Sequence, residues 1–159
     1  MRIVIAVVPR LVLLVTLLGA RGSSAAETVP QGKSLGLGIV IGQPTGLSLK
    51  APLGGAFAVD GALGWRFGDE AGLRLNVDLL AHHTLARTSP GIVSFYLGVG
   101  PSLGAHKDQV GLAIRVPVGL ALLFRGAPID AFIELAPGIG LYPGTTFFVN
   151  LALGARYYF

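Results

Sequence analysis

Lys50, Asp60, Arg66, Arg74, Asp78, Arg115, Asp130, Glu134 and Arg156 all lie in segments where large apolar residues alternate with small or polar ones. Each has the parity of the small and polar set, so on strands all nine would project from one face. Five are basic and four acidic. A face holding both signs can form charge-assisted hydrogen bonds between neighbouring strands. Counting back through the Pro143-Gly144 turn sets Arg156 opposite or diagonal to Asp130, with Glu134 further along the same face. Enclosed together, these groups read as a paired network that fills a lumen; the alternative is a path or binding site for ions.

Other reactive side chains are less well placed for chemistry. His82 and His83 are adjacent, so on a strand they point to opposite faces and cannot share a metal, and His106 falls in a turn. One arrangement by which a strand can carry hydrolase or acyltransferase chemistry sets a His and a Ser two apart beside a carboxylate, so that the His can activate the Ser. The residue two after His82 is Thr84, at the start of an expected turn, while Ser94 and Ser102 have inward parity without a convergent base. The glycines at 98, 100 and 104 have the wrong spacing for a dinucleotide loop, and no helix follows them. The reading therefore includes no catalytic residue, no metal site and no cofactor.

Eight strands are expected to carry the charged face, over residues 35–42, 47–51, 56–67, 72–83, 92–104, 110–124, 129–141 and 146–159, separated by Gly- and Pro-containing turns. The last shows the pattern well: Phe147, Val149, Leu151, Leu153, Ala155, Tyr157 and Phe159 alternate with Phe148, Asn150, Ala152, Gly154, Arg156 and Tyr158. Eight antiparallel strands joined by hairpins can close on themselves and remove both sheet edges. The fold class expected is all-β, an eight-stranded antiparallel up-and-down transmembrane β-barrel, apolar outside and polar within. Pro101, Pro117 and Pro137 fall inside strands and predict local bulges. The first hairpin is short for a hydrocarbon span, which suggests that strand 2 continues past Pro52.

Composition agrees with alternation: 52% of the 159 residues are hydrophobic and 13% charged, yet no segment beyond the N-terminus has an apolar run long enough for a membrane helix. Arg2 and Arg10 flank apolar residues 11–18, and Ser24, Ala25 and Ala26 precede Glu27, the pattern of a cleaved export signal. The expected organisation is a signal peptide over 1–26, a periplasmic leader over 27–34 and a barrel over 35–159. Removing the signal leaves nine basic against eight acidic residues, so the high pI gives no reason to invoke nucleic acid. The chain has no cysteine to form a disulfide or carry a lipid anchor.

If the N-terminus lies in the periplasm, Phe57, Phe95, Phe124, Tyr157 and Phe159 face lipid near the periplasmic end. Trp65, Phe67 and Phe147 do so near the outer end. That is the double aromatic girdle of a membrane barrel. At the C-terminus, Leu151, Leu153, Tyr157 and Phe159 resemble the β-signal by which the outer-membrane insertion machinery recognises its clients. In architecture the chain resembles the small eight-stranded outer-membrane barrels, the OmpA transmembrane domain and OmpX. More closely it resembles an uncharacterised family of small outer-membrane β-barrels, through the residues at 42–50, 78–82, 111–119, 134–137 and 154–159. The resemblance implies a Gram-negative-type outer membrane, with lipid and the insertion machinery as partners, and transfers no catalytic residue. The expected role is an integral barrel with a filled polar lumen and a structural or surface-interaction function. The alternatives are a narrow channel for ions or small solutes, a lipid-modifying enzyme, and a soluble lipocalin-like barrel.

Overall fold

A computed structural model of the protein describes residues 32–66, 72–106 and 109–159. The signal-peptide assignment and Phe67 lie outside the described residues, as does most of the expected leader. The strands are β1 (Gly36–Gly42), β2 (Gly46–Gly54), β3 (Phe57–Arg66), β4 (Gly72–Arg87), β5 (Gly91–His106), β6 (Gln109–Arg115), β7 (Val118–Phe124), β8 (Ile129–Tyr142) and β9 (Thr146–Tyr158). Each pairs antiparallel with its neighbours, and β1 pairs with β9, so the sheet closes. β6 and β7 are the two halves of one wall strand, both lying between β5 and β8. The result is an eight-membered ring with no free edge.

The strand prolines act differently from expectation. At Pro117 the strand is interrupted between β6 and β7, but Arg115↔Gly138 and Val118↔Leu135 keep one common register across the gap. Pairing with β5 also continues unshifted, from Gly100↔Arg115 to Leu97↔Val118. Pro101 and Pro137 sit opposite Ile114 and Val149 in unshifted register. Each proline therefore removes a donor without inserting a residue. The surviving carbonyls remain paired: Gly98 N–H donates to Pro117 O, and Val116 N–H to Pro137 O, both at 2.8 Å. Register shifts occur instead at Pro52/Gly54, Thr84/Ala86 and Leu112/Ala113, close to strand ends. There an extra residue disturbs few neighbouring pairs.

β2 continues past Pro52 to Gly54, where Gly54 and Gly55 take φ values of +104° and +60° that suit glycine in the tight turn to β3. β4 runs to Arg87 and leaves only 88–90 as the turn to β5, so the break expected to begin at Thr84 is shorter. Thr88 closes that turn by donating both its N–H and its hydroxyl to Gly91 O.

Parity sorts the wall. Leu37, Ile39, Leu79, Val99, Leu120, Ile133, Leu151 and Leu153 are exposed on the outer surface. Buried on the inner one are Val40, Leu80, Tyr96, Ala121, Phe132 and Ala152, which pack together in the lumen. A second apolar group, Ile92, Leu123 and Tyr158, closes the end where β1 starts and β9 finishes, the termini of the ring. A continuous apolar belt of this size suits lipid and not water.

The inward aromatics follow a rule that becomes visible only with the register in hand. Tyr158 lies directly opposite Gly36, Tyr96 opposite Gly119, Phe148 opposite Gly138, and Phe132 opposite Gly154. In each pair a Cβ on the glycine would come within 2.6 Å of a ring atom. Each ring reaches over the bare glycine backbone of the next strand, which is how a narrow barrel holds aromatic side chains without widening.

Candidate functional site

Seven of the nine charged residues singled out by parity are buried inside the ring: Lys50, Asp60, Asp78, Arg115, Asp130, Glu134 and Arg156. They form two clusters. Around Arg156 on β9, the guanidinium reaches Asp60 on β3 at 2.6 Å and Asp130 on β8 at 3.3 Å. Its Nε donates to Ser48 Oγ on β2 at 2.8 Å, and its plane lies 4.0 Å from the Phe132 ring centroid. Tyr158 donates its hydroxyl proton to Asp130 Oδ2 at 2.7 Å, and Lys50 Nζ stands 3.9 Å from the same oxygen.

The second cluster centres on Arg115 of β6, whose Nη2 bonds Glu134 Oε1 and lies 3.2 Å from Asp78 Oδ2 on β4. Tyr96 on β5 donates its hydroxyl proton to Glu134 Oε2 at 3.0 Å. The two clusters share strand β8, where Phe132 separates Asp130 from Glu134. Between them they join seven of the nine strand segments through the lumen. Charged groups out of water need such partners, and planar guanidinium forks supply several at once.

The other two, Arg74 and Arg66, occupy strand positions towards the end of the ring opposite the termini. Arg74 is half-buried near the end of the ring opposite the termini, with its guanidinium 5.9 Å from the Phe148 ring centroid. Arg66 is the last residue of β3, and its side chain lies outside the described residues.

Sequence reasoning missed Ser48, Tyr96, Phe132 and Tyr158 as members of these clusters, although all have the parity of the charges. It also passed over Asn76 and Asn150. Both are buried, and Asn76 Nδ2 and Oδ1 and Asn150 Nδ2 have no hydrogen-bond partner among the described residues.

In the histidine region no hydrogen bond joins His82 to a hydroxyl or a carboxylate among the described residues. His82 is buried, pairs across the ladder with Tyr96 at 5.3 Å between rings, and neither ring nitrogen has a hydrogen-bond partner among the described residues. Thr84 lies within β4, not in a turn, and pairs with Ser94; its Oγ1 is likewise unpartnered. His83 points outward and is exposed.

On the outer surface Phe57, Phe124, Tyr157 and Phe159 are exposed and Phe95 half-buried, all in the half that carries the termini. Trp65 and Phe147 are exposed near the other end, where Tyr142, beyond the expected strand limit, adds a further exposed ring. Leu151, Leu153, Tyr157 and Phe159 form one exposed stripe along β9.

At the end opposite the termini the lumen opens into two adjoining cavities of about 440 and 590 Å³. They share Gln43, Arg74, Gly104, Gly111 and Pro143 in their walls; Ser102, Phe148 and Asn150 line the larger. Glycine at 104, 111 and 140 leaves this part of the lumen wide, in contrast to the packed half around Arg156.

No protein-family model matches the chain, and no curated protein is significantly similar to it in sequence. Among solved structures, the crystal structure of the N-terminal β-barrel domain of Pseudomonas aeruginosa OprF superposes with a TM-score of 0.60 at 17% identity. The match covers 79% of this chain and 95% of that domain. What the two share is the fold, an eight-stranded antiparallel β-barrel of the outer-membrane type.

Proposed function

We propose that the chain is an integral outer-membrane β-barrel whose lumen is closed by buried ion pairs and which serves a structural or surface-interaction role without catalysis. One observation carries the reading: inside the ring Arg156 on β9 reaches Asp60 on β3, Arg115 on β6 reaches Asp78 on β4, and Phe132, Leu80 and Tyr96 pack together in the same lumen. An eight-stranded barrel is just wide enough for side chains to fill. The localisation proposed is the outer membrane of a Gram-negative-type envelope. Lipid meets the apolar belt, and the β9 stripe ending at Phe159 is the element offered to the insertion machinery.

The first test is gel mobility. Urea-washed membranes should retain the protein, and unheated samples in SDS should migrate apart from boiled ones. In a planar bilayer the folded protein should then give no reproducible current steps. The cavities at one mouth favour a second reading, a narrow channel. Steps that change when Arg115 or Glu134 is replaced would establish that reading in place of the closed lumen.

The orientation of the wall is tested separately by Leu153→Arg, near the middle of β9. An outward arginine at mid-membrane should reduce folding stability in lipid vesicles by about 2–4 kcal/mol. In a water-soluble barrel, an arginine at this exposed position would be harmless.

A further inference from the structure

The outer surface of the barrel carries no acidic side chain among the described residues, because all four of their carboxylates, on Asp60, Asp78, Asp130 and Glu134, are buried in the lumen. At the end that carries the termini, the exposed charged side chains among the described residues are both basic: Arg87 closes β4, and Arg125 follows β7. Arg87 pairs with Ile92 and Ile92 with Leu123, while Arg125 N–H donates to Pro90 O at 3.1 Å, so the two arginines flank the start of β5. Two strand spacings, about 10 Å, lie between β4 and β7. On the same strand as Arg87, His83 is exposed on the outer face, directly opposite Phe95, and interrupts the apolar parity of that face.

The geometry points to a docking surface here for the headgroup of a net-anionic phospholipid. This rests on the membrane reading of the barrel and goes beyond it by naming the class of lipid. The aromatic girdle sets the depth: Phe124 is exposed immediately before Arg125, and Phe95 lies between His83 and Leu120 on the outer face. Such rings settle at the membrane interface, and arginine stems lie along the apolar wall while their guanidinium groups reach the phosphate layer. A guanidinium meets phosphate through paired N–H donors, and the His83 imidazole offers a further N–H at a deeper level. Net charge then selects the headgroup. Every phospholipid carries a phosphate, but a zwitterionic one brings its own cation beside the two guanidinium groups, and no described side-chain carboxylate at this end answers it. The connections at this end, residues 55–56, 88–90 and 125–128, contain no acidic residue, whereas those at the other end hold Asp69, Glu70 and Asp108. That asymmetry confines the preference to one leaflet.

Trp65 is the only tryptophan of the chain and lies near the opposite end, so Phe124→Trp combined with Trp65→Phe moves the fluorescent reporter onto this surface. The native protein and this variant are each folded into vesicles of phosphatidylcholine and phosphatidylglycerol in equal amounts, with bromine on the acyl chains of one lipid or the other. Heat-dependent gel mobility first confirms that each barrel has formed. At position 124 brominated phosphatidylglycerol should compete about fivefold better than brominated phosphatidylcholine, the factor expected of one basic side chain near an anionic surface. The preference at Trp65 should be smaller. Adding His83→Gln, Arg87→Gln and Arg125→Gln should bring the ratio at position 124 to about one, as should sodium chloride raised to about 0.5 M. Equal quenching by the two lipids at position 124, a preference that survives the three substitutions, or the same preference at Trp65 would overturn the inference and leave the membrane barrel standing. A reporter at position 124 shielded from both lipids while Trp65 is quenched would overturn it in favour of a second copy of the chain covering the patch. Quenching at neither site would overturn the membrane reading itself, and this inference with it.

Discussion

Replacing Arg156 with methionine is expected to destabilise the barrel by about 3–5 kcal/mol, the cost of leaving buried charge without its partner. Arg156 is the group to which Asp60 and Asp130 both turn, and it also holds Ser48 and covers the Phe132 ring. Without it, two carboxylates face a single cation, Lys50, which stands 3.9 Å from Asp130. Methionine has nearly the length of the arginine stem, so the loss measures charge and hydrogen bonding more than volume. Urea unfolding in lipid vesicles gives the change directly. The double variant Arg156→Met, Asp60→Asn should recover at least half of the loss, because the carboxylate of Asp130 and the ammonium of Lys50 are then left as a balanced pair. A loss below about 1 kcal/mol in the single variant would mean that the cluster is hydrated and that the lumen is not closed at this level.

The sequence made the ring legible because parity is a strict code. Lipid on one side and a confined lumen on the other force each strand to alternate, so a charge can occupy only one face. The same code placed Asp130 beside Arg156, since that pair is linked by a single short hairpin and its register can be counted from the turn. It could not bring Asp60 to Arg156, or Asp78 to Arg115. Those partners come from strands that are not neighbours, and their meeting depends on how far each strand is staggered around the closed ring. The prolines differ from expectation for a related reason. A proline within a strand predicts a bulge, but in a wall strand the missing donor can be tolerated while the ladder keeps its count, as at Pro117. The bulges lie near turns, where the sequence offers no apolar pattern to fix the register.

The glycine opposite each inward ring was hidden for the same reason, and it yields the second large effect. Gly36→Val is expected to cost about 3 kcal/mol, combining an overpacked interior with the loss of a hydrogen bond to a charged group. A Cβ at Gly36 would lie 2.6 Å from Cε1 and 2.9 Å from Cζ of Tyr158, and every atom within 3.0 Å belongs to that ring. The ring is fully buried between Ile92 and Leu123 and anchored through its hydroxyl to Asp130 Oδ2, so moving it breaks that bond and opens the closed end of the lumen. The cause can be isolated. In the double variant Gly36→Val, Tyr158→Leu the clash is gone, and the pair should be less destabilised than the two single changes added together, by at least about 1 kcal/mol of coupling. Strict additivity in vesicle unfolding would show that Gly36 is needed for its backbone alone, and that the ring does not rest on it. If the coupling is found, the same measurement on Gly119 with Tyr96 and on Gly154 with Phe132 asks whether the pairing is a general device. In those pairs a carbonyl oxygen also lies within 2.5 Å of the added Cβ, so relieving the ring should rescue less than it does at Gly36.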